Sequence, residues 1–429
     1  MVGVFRLEGH SVRLQSLRGI AALCVAVGHA FAVMRNGRIE DAHFTLRPGN
    51  ALLAAGELLF QPNTAVILFY VLSGFVLGES LRRRAAPNER SHLGAFGVRR
   101  LWRLLPVMWL SILFAAAVAV LLRDATFAGT TSWFDQFSSV AVSPAILLEN
   151  LLGLSHSINS VLWSIQIELV MIVLLSLMAW LSARTSLWLH AVMVGALYLG
   201  AIEFWSVVPN FVLFAYCFYV GVALPKFLSN AMVARWLGNG VGVLAALALL
   251  LLVEYLYVSN RLWLPYKFLI DTLVSGYVIA FVLLRPDCAG ARFLERPALV
   301  WLGDVSYSFY CYAMSVLLIV AWALLRIVPA LIATSDLGAT GIVLVSAILC
   351  VAISLLFARL SFAFVEKPSI TVGRLWSKRI EGGGTGAPAF AKPAMRYAPS
   401  KIASGAAPRR HSSARRPRSI PAGPRPRCR

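Results

Sequence analysis

The chain has 429 residues, of which 59% are hydrophobic and only 14% are charged, and its mean hydropathy is +0.75. A soluble domain averages roughly 25% charged and under 50% apolar residues, so this composition excludes an ordinary soluble protein. The formal charge is +20, and about half of the excess lies in residues 381–429, where nine arginines and two lysines face one acid, Glu381. This Gly-, Pro- and Arg-rich segment predicts a disordered tail that fixes topology or touches anionic lipid, and no folded basic module points to nucleic acid.

Apolar runs of about twenty residues recur along the chain, the length at which a helix crosses the hydrocarbon of a bilayer. Because the runs are continuous and not alternating, they favour helices over a β-barrel. The predicted spans are 15–34, 62–80, 101–122, 161–182, 187–205, 209–225, 239–258, 266–284, 303–325 and 338–362. The sequence thus predicts an all-α integral membrane protein with about ten transmembrane helices, a transmembrane domain at 1–370 and a disordered tail at 371–429. The short amphiphilic segment 145–157 is interpreted as an interfacial or re-entrant piece.

Basic residues are divided unevenly between the two sides of the predicted membrane domain, which sets its orientation. If the N-terminus is cytosolic, the basic tail and most other arginines and lysines lie inside. The outside segments then hold Arg35, Arg38, Arg47, Arg123, Arg261 and Arg326. We therefore expect both termini in the cytosol and a retained first span. The six cysteines show no paired spacing, so the sequence predicts neither a disulfide framework nor a metal site.

The first span carries two ionisable residues, Arg18 and His29, which are costly in a membrane and so are functional hypotheses. They are eleven residues apart, which returns to nearly the same helix face roughly 16 Å further along the axis. Structural alternatives stay open: Arg18 snorkels to the surface, or His29 only hydrogen-bonds another helix.

The sequence VRRLWRLLP, residues 98–106, leads into the third span, and Arg100 and Arg103 share a face there. A flank of positive charge on the cytosolic side explains Arg99 and Arg100 well. It explains Arg103 less well, because that residue already lies within the apolar run. An arginine cluster also suits phosphate groups, since a guanidinium offers paired donors.

The fourth span begins VLWSIQIELV, with Ser164 and Glu168 one turn apart and Trp163 at the presumed outer interface. A carboxylate within a span needs a partner, so Glu168 is either a structural partner for an arginine or histidine or a participant in the chemistry. In the second span, FYVLSGF places Ser73 beside Gly74, a pair that favours close helix approach.

The ninth span begins with DVSYSFY, where Asp304, Tyr307 and Tyr310 stand at helical spacing. Ordinary interfacial tyrosines are one reasonable interpretation of this pattern.

Taken in order, the stretches LQSLRGIAALCVAVGHA, FYVLSGF, RRLWRLLP, LWSIQIE, SYSFY and VEKP resemble the membrane acyltransferase-3 family, which includes O-antigen and exopolysaccharide O-acetyltransferases. The resemblance implies a ten-helix core in a bacterial cytoplasmic membrane. It also implies acyl transfer from cytosolic acyl-CoA, a co-substrate and not a bound cofactor, to a hydroxyl acceptor on the outer side, often a sugar. In this resemblance the family's catalytic histidine corresponds to His29. The family's first-span arginine, its third-span arginine pair and its glutamate correspond to Arg18, Arg100, Arg103 and Glu168.

The chain departs from the family pattern at two positions. Gln15 stands where the family usually has an acidic residue, and Ala313 stands where a histidine commonly follows SYSFY. The second difference puts a catalytic contribution from the ninth span in doubt.

These residues suggest a chemistry for acyl transfer. A neutral histidine suits the removal of a proton from the attacking hydroxyl, so His29 is the expected base, or else it carries the acyl group. We expect Glu168 to orient the imidazole and Arg18, Arg100 and Arg103 to bind the phosphates of CoA. Supporting positions are Ser73, Trp163, Ser164 and Tyr307.

A transporter or flippase of glycolipids is the alternative function, although no internal repeat is evident. The acceptor, the acyl chain and the oligomeric state stay open.

Overall fold

The computed structural model describes residues 7–35, 46–83, 89–203 and 210–382, and these residues are almost entirely helical. The helices of the first half are α1 (Leu7–Phe31), α2 (Ala51–Leu59), α3 (Pro62–Arg83), α4 (Glu89–Leu121), α5 (Ser132–Asp135), α6 (Pro144–Leu151), α7 (Trp163–Arg184), α8 (Leu187–Glu203) and α9 (Asn210–Leu213). Those of the second half are α10 (Ala215–Leu228), α11 (Ala231–Leu237), α12 (Gly240–Val258), α13 (Leu264–Leu284), α14 (Ala289–Leu294), α15 (Pro297–Ile327), α16 (Ala330–Ala333), α17 (Asp336–Ser361) and α18 (Lys367–Gly382). Short 3₁₀ turns lie at Gln136–Ser139 and Ser160–Leu162, and a π-helical turn at Phe362–Glu366 joins α17 to α18.

The described helices confirm a polytopic membrane protein. Eight of them are long and apolar enough to cross a bilayer, and a ninth span follows if the bent pair α10 and α11 is one. The fifth predicted span, 187–205, corresponds to α8, a shorter apolar helix of 17 residues. The sixth, 209–225, is α10, and α11 continues it after a bend of 116°. Residues 204, 205 and 209 of these two spans lie outside the described residues.

One end of the bundle collects the start of α1, α4 and α15 and the end of α17, and we call it the basic end. Arg13 pairs there with Glu295 just before α15, at 2.6 Å, and Gln15 donates to Asp304. The amide at position 15 therefore gives Asp304 a donor, where an acidic residue would place two carboxylates side by side. The other end of the bundle is called the opposite end.

Two helices are too long for the bilayer and extend past it at the basic end. α4 has 33 residues, and α17, the π-helical turn and α18 form one helical stretch of 46 residues, roughly 69 Å against a hydrocarbon thickness of about 30 Å. Their extensions pack together, because Gly373 lies against Trp102 and Arg99 pairs with Glu381 at 2.9 Å. The prediction of a disordered tail from residue 371 is thus wrong as far as Gly382, where these contacts hold α18 on α4, and residues 383–429 lie outside the described residues.

A re-entrant segment leads into α7. Trp109 lies twelve residues before the end of α4, about 18 Å along its axis, and its indole donates to the carbonyl of Leu151 at the end of α6, at 2.8 Å. Deeper still, the Asn159 amide donates to the carbonyl of Cys311 in the middle of α15, at 3.0 Å. Of the two interpretations of segment 145–157, interfacial or re-entrant, these contacts support the second.

Candidate active site

Glu168 on α7 gathers side chains from three other helices. Its Oε1 accepts a hydrogen bond from Arg100 of α4 and another from Ser73 of α3, each at 2.7 Å, and lies 3.9 Å from the guanidinium of Arg18 on α1. Arg18 also donates to Ser73, at 3.4 Å. The side chains of Arg100 and Glu168 are only 7% and 12% exposed. One largely buried carboxylate therefore lies next to two guanidinium groups, those of Arg100 and Arg18.

Positive charge exceeds negative charge at this level of the bundle. Arg103 lies one turn beyond Arg100, and it makes no hydrogen bond or ion pair with any described residue. Because an unbalanced charge in a low-dielectric interior is costly, the cluster of Arg18, Arg100, Arg103 and Glu168 favours binding of an anion.

Three cavities follow one another through the bundle. The mouth cavity, about 360 Å³, lies at the basic end and is lined by Arg99, Arg100, Arg103, Asp304, Glu366 and Arg374, among others. The middle cavity, about 50 Å³, shares Arg100 and Arg103 with the mouth cavity. A third cavity of about 270 Å³, called the His29 cavity, shares Val66 and Tyr310 with the middle one. The shared lining residues therefore place the three cavities next to one another, in the order mouth, middle and His29 cavity.

Tyrosines of α15 form one wall of the middle cavity. The Tyr307 hydroxyl donates to the carbonyl of Leu104 at 2.6 Å, and the hydroxyls of Tyr310 and Ser164 share one hydrogen bond at 2.8 Å. Tyr310 is buried, and it also donates to the carbonyl of Val161 at 3.0 Å. The interpretation of these tyrosines as interfacial is therefore wrong, because both phenols face the interior of the bundle.

The His29 cavity combines aromatic and polar side chains. His29 stacks on Trp133, with ring centroids 5.5 Å apart, and Trp163 also lines the cavity. Backbone hydrogen bonds between residues 33–35 and 129–131, including Arg35 N–H to Gly129 at 2.8 Å, hold the Trp133 segment next to the end of α1. The polar lining consists of Asn63, Gln136, His156 and Ser160.

The His29 cavity is recessed within the bundle. Since Arg18 and Arg100 contact the same carboxylate, they lie at the same height along the axis of the bundle. From there α1 continues for thirteen residues, about 20 Å, whereas α4 continues for about 32 Å. His29, near the end of α1, therefore lies well below the end of α4. Irregular backbone such as residues 152–159 is tolerated at such depth where it is buried in protein or lines a water-filled cavity.

The model of the acyltransferase 3 family, described as an acyltransferase domain, matches residues 12–359, which is most of the chain. The chain belongs to the acyltransferase 3 family. It is therefore a multi-pass membrane acyltransferase, and the transporter alternative is set aside. No curated protein and no solved structure shows significant similarity to it.

The acyltransferase structure divides the predicted site residues into two groups. One group lines the middle cavity and comprises Arg18, Ser73, Arg100, Arg103, Ser164, Glu168 and Tyr307. His29 and Trp163 line the His29 cavity instead. Glu168 makes its contacts with arginines and serine and none with His29, so the geometry supports its role as an arginine partner and not as the residue that orients the imidazole.

Ala313 of the acyltransferase lies away from all three cavities. It packs with Ala22, Phe309 and Ala358 in a small apolar cluster between α1, α15 and α17. Its methyl group fills space between helices there.

Several polar residues of the acyltransferase were not predicted. His156 and Gln136 come from the 123–160 connection, whose residues helical spacing cannot place. A separate buried cluster joins Lys267 to Asp271 at 2.6 Å and to Glu254 at 3.0 Å. The spacing of four residues between Lys267 and Asp271 inside an apolar run is a signal that could have revealed it.

Proposed function

We propose that this acyltransferase moves an acyl group, with acetyl the first expectation, from cytosolic acyl-CoA to a hydroxyl of a glycan on the outer side of a bacterial cytoplasmic membrane. The proposal depends on one observation above all: adjacent cavities extend from an arginine-rich mouth at the basic end to a recessed histidine. Under it, the basic end faces the cytosol, in agreement with the bias of basic residues.

The donor side is supported by charge. The mouth cavity brings Arg99, Arg100, Arg103 and Arg374 around one space, against the acids Asp304 and Glu366. Phosphates of CoA supply the anionic partner that this surplus favours, and guanidinium groups bind phosphate through paired donors. In this arrangement Arg103 contacts phosphate directly, while Arg18 and Arg100, fixed by Glu168, line the narrow passage beyond.

The acceptor side is supported by the lining of the His29 cavity. Indole rings such as Trp133 and Trp163 can cover the apolar faces of a sugar ring, while amides such as Asn63 and Gln136 can bind its hydroxyls. Aromatic surfaces with a few convergent polar groups are typical of small-ligand sites. A sugar hydroxyl is therefore the acceptor that best fits this cavity.

The acyl carbon would meet the acceptor at His29. The thioester arm of the donor extends from the mouth cavity through the middle cavity, roughly the 16 Å that separates Arg18 from His29 along α1. A neutral imidazole either takes the proton of the attacking hydroxyl or accepts the acyl group first. In both cases CoA stays on the side it came from and only the acyl group crosses.

The test compares O-acyl groups on envelope glycans of source cells with and without the gene by mass spectrometry. We expect the deletion to remove specific O-acyl groups, the wild-type gene to restore them and His29→Ala to restore none despite normal membrane insertion. Restoration by His29→Ala would overturn the role of His29, and an unchanged glycan profile in the deletion strain would overturn the proposed acceptor class.

A further inference from the structure

A second histidine lines the His29 cavity. His156 belongs to the re-entrant segment, between α6 and the 3₁₀ turn that leads into α7. Its Nδ1 lies 2.9 Å from the amide oxygen of Gln166, which is on the first turn of α7. The cavity therefore holds two imidazoles, one carried by α1 and the other by a loop that α7 supports.

The contact with Gln166 bears on which ring nitrogen of His156 carries the hydrogen. With the amide oxygen of Gln166 turned toward the ring, as in this structure, Nδ1 of His156 carries the hydrogen and donates it. Nε2 of the neutral ring is then left with a lone pair, which is the form of a general base held by an orienting partner.

His29 is held differently. Its ring stacks on Trp133, and among the described residues it makes no side-chain hydrogen bond. A base that must abstract a proton benefits from a partner that fixes its tautomer, and here His156 has such a partner while His29 does not. A stacked imidazole that lacks a hydrogen-bonded partner is free to form a bond to carbon.

Resting on the proposed function, we propose that the two histidines divide the reaction: His29 carries the acyl group, and His156 is the general base that deprotonates the acceptor hydroxyl. First, a ring nitrogen of His29 bonds to the thioester carbonyl carbon, the carbon–sulfur bond breaks, and the CoA thiolate leaves and takes a proton from water at the basic end. The acceptor oxygen then bonds to the acyl carbon, and its proton passes to Nε2 of His156. The nitrogen–carbon bond breaks, its electron pair returns to His29, and His156 releases the proton to water in the cavity.

The two steps can be measured apart. An enzyme that forms an acyl-histidine exchanges labelled CoA into unlabelled acetyl-CoA without any acceptor, so purified full-length protein in lipid nanodiscs is given ³H-CoA and acetyl-CoA. Transfer is followed as labelled acetyl from acetyl-CoA entering the envelope glycan fraction in membranes of the deletion strain that carry each variant. For His156→Gln we expect exchange at the wild-type rate but transfer lower by about 10²- to 10⁴-fold, the usual contribution of a general base. His29→Ala should lose both.

Controls separate a chemical role from a structural one. Ser155→Ala changes a neighbouring hydroxyl of the same loop that does not line the cavity, and it should keep both activities. In His156→Ala, added imidazole should restore transfer, which it cannot do for a residue that only supports the fold.

The outcomes distinguish this proposal from the proposed function. If His156→Gln transfers acetyl as fast as the wild type while His29→Ala does not, the assignment of His156 is overturned and the function stands. Loss of exchange together with transfer in His156→Gln, or a wild-type protein that transfers without exchange, overturns the division of roles. A wild-type protein that transfers nothing to the glycan fraction contradicts the proposed function itself.

Discussion

Three arginines are predicted to bind phosphate, and Arg103 differs from the other two in its contacts with the protein. Arg18 and Arg100 contact Glu168 directly, whereas Arg103 lines the mouth and middle cavities and forms no hydrogen bond or ion pair with a described residue, its nearest opposing charge being Glu366 across the mouth cavity. An arginine that pairs within the protein gives up part of its donor capacity, so Arg103 should contribute most to anion binding.

We predict that Arg103→Ala weakens acetyl-CoA binding by about 10- to 150-fold, the loss expected for a charged hydrogen bond of roughly 1.5–3 kcal/mol. The dissociation constant of labelled acetyl-CoA is measured on purified protein. Arg359→Ala, which removes an exposed arginine outside the described lining of the mouth cavity, serves as the control and should bind normally. Equal affinities for Arg103→Ala and the wild type would remove Arg103 from the donor site.

Spacing along one helix could be predicted from the sequence, but contacts between helices could not. The eleven-residue interval placed Arg18 and His29 on one stripe because the helical repeat determines it. The partners of Glu168 depend on how α1, α3, α4 and α7 pack, which a single apolar sequence leaves undetermined. The position of His156 could not be predicted for the same reason, since tertiary contacts determine where a loop residue lies.

At the level of the helices, α3 and α10 approach each other closely. The backbone of Phe218 lies against Gly74, and the backbone of α3 at Val71 lies against Gly221, so neither glycine has room for a side chain. The predicted role of Gly74 in helix approach agrees with this contact. Ser73, the residue before Gly74, donates a hydrogen bond to Glu168.

Gly74→Ala should therefore destabilise the protein by about 1–3 kcal/mol, the usual cost of overpacking. Gly195 on α8 is a matched control, because a methyl group there meets no atom within 4 Å. Thermal unfolding in detergent should show a lower Tm for Gly74→Ala and an unchanged or slightly higher one for Gly195→Ala, since alanine favours a helix over glycine. Equal Tm values for the two variants would mean that the α3–α10 contact is looser than the structure has it.

The buried cluster around Lys267 joins three helices. Its ammonium group, which is fully buried, lies 2.6 Å from Asp271 and 3.0 Å from Glu254 of α12, and donates to Thr64 of α3 at 2.9 Å. Thr64 follows Pro62 and Asn63, which line the His29 cavity, so the cluster also holds one wall of that cavity.

Removal of this lysine leaves two buried carboxylates without their cation. Lys267→Met should thus cost about 3–5 kcal/mol, the range for breaking a buried ion pair from one side. Lys226→Met makes the same substitution at an exposed position near the end of α10. It is the control and should leave the Tm unchanged. A Lys267→Met protein that melts with the wild type would show that the cluster contributes nothing to stability.

Hydropathy located the spans but not their shape. It marked the segments that became α8 and α10, yet the 116° bend into α11 is invisible to it, because apolar composition is the same in a straight and a broken helix. It also assigned residues 371–382 to the tail, since they are polar on average. Packing on α4 makes that segment helical, which is a tertiary effect.

At the scale of the described bundle, the three adjacent cavities differ in chemistry from one end of the series to the other. The mouth cavity is rich in arginine, and the His29 cavity is lined by aromatic and amide side chains. Between them lies the smallest of the three, about 50 Å³, which is too small to hold CoA. The sequence predicted the two ends, because their residues carry motifs, whereas the narrow passage results from side chains of four helices packed together.

Blocking that passage should separate donor binding from acyl transfer. Val66 of α3 lines both the middle and the His29 cavity, so a phenyl ring in its place would fill the junction between them. We expect Val66→Phe to bind acetyl-CoA with wild-type affinity, because the mouth cavity is untouched, and to transfer almost no acetyl to the glycan fraction. Ile67→Phe adds a ring at the next, equally buried position outside both linings, and it costs similar overpacking energy, roughly 1–3 kcal/mol, without closing the path. When rates are compared per folded protein, transfer by Ile67→Phe should far exceed transfer by Val66→Phe. Normal transfer by Val66→Phe would mean that the acyl group reaches the acceptor by a different route.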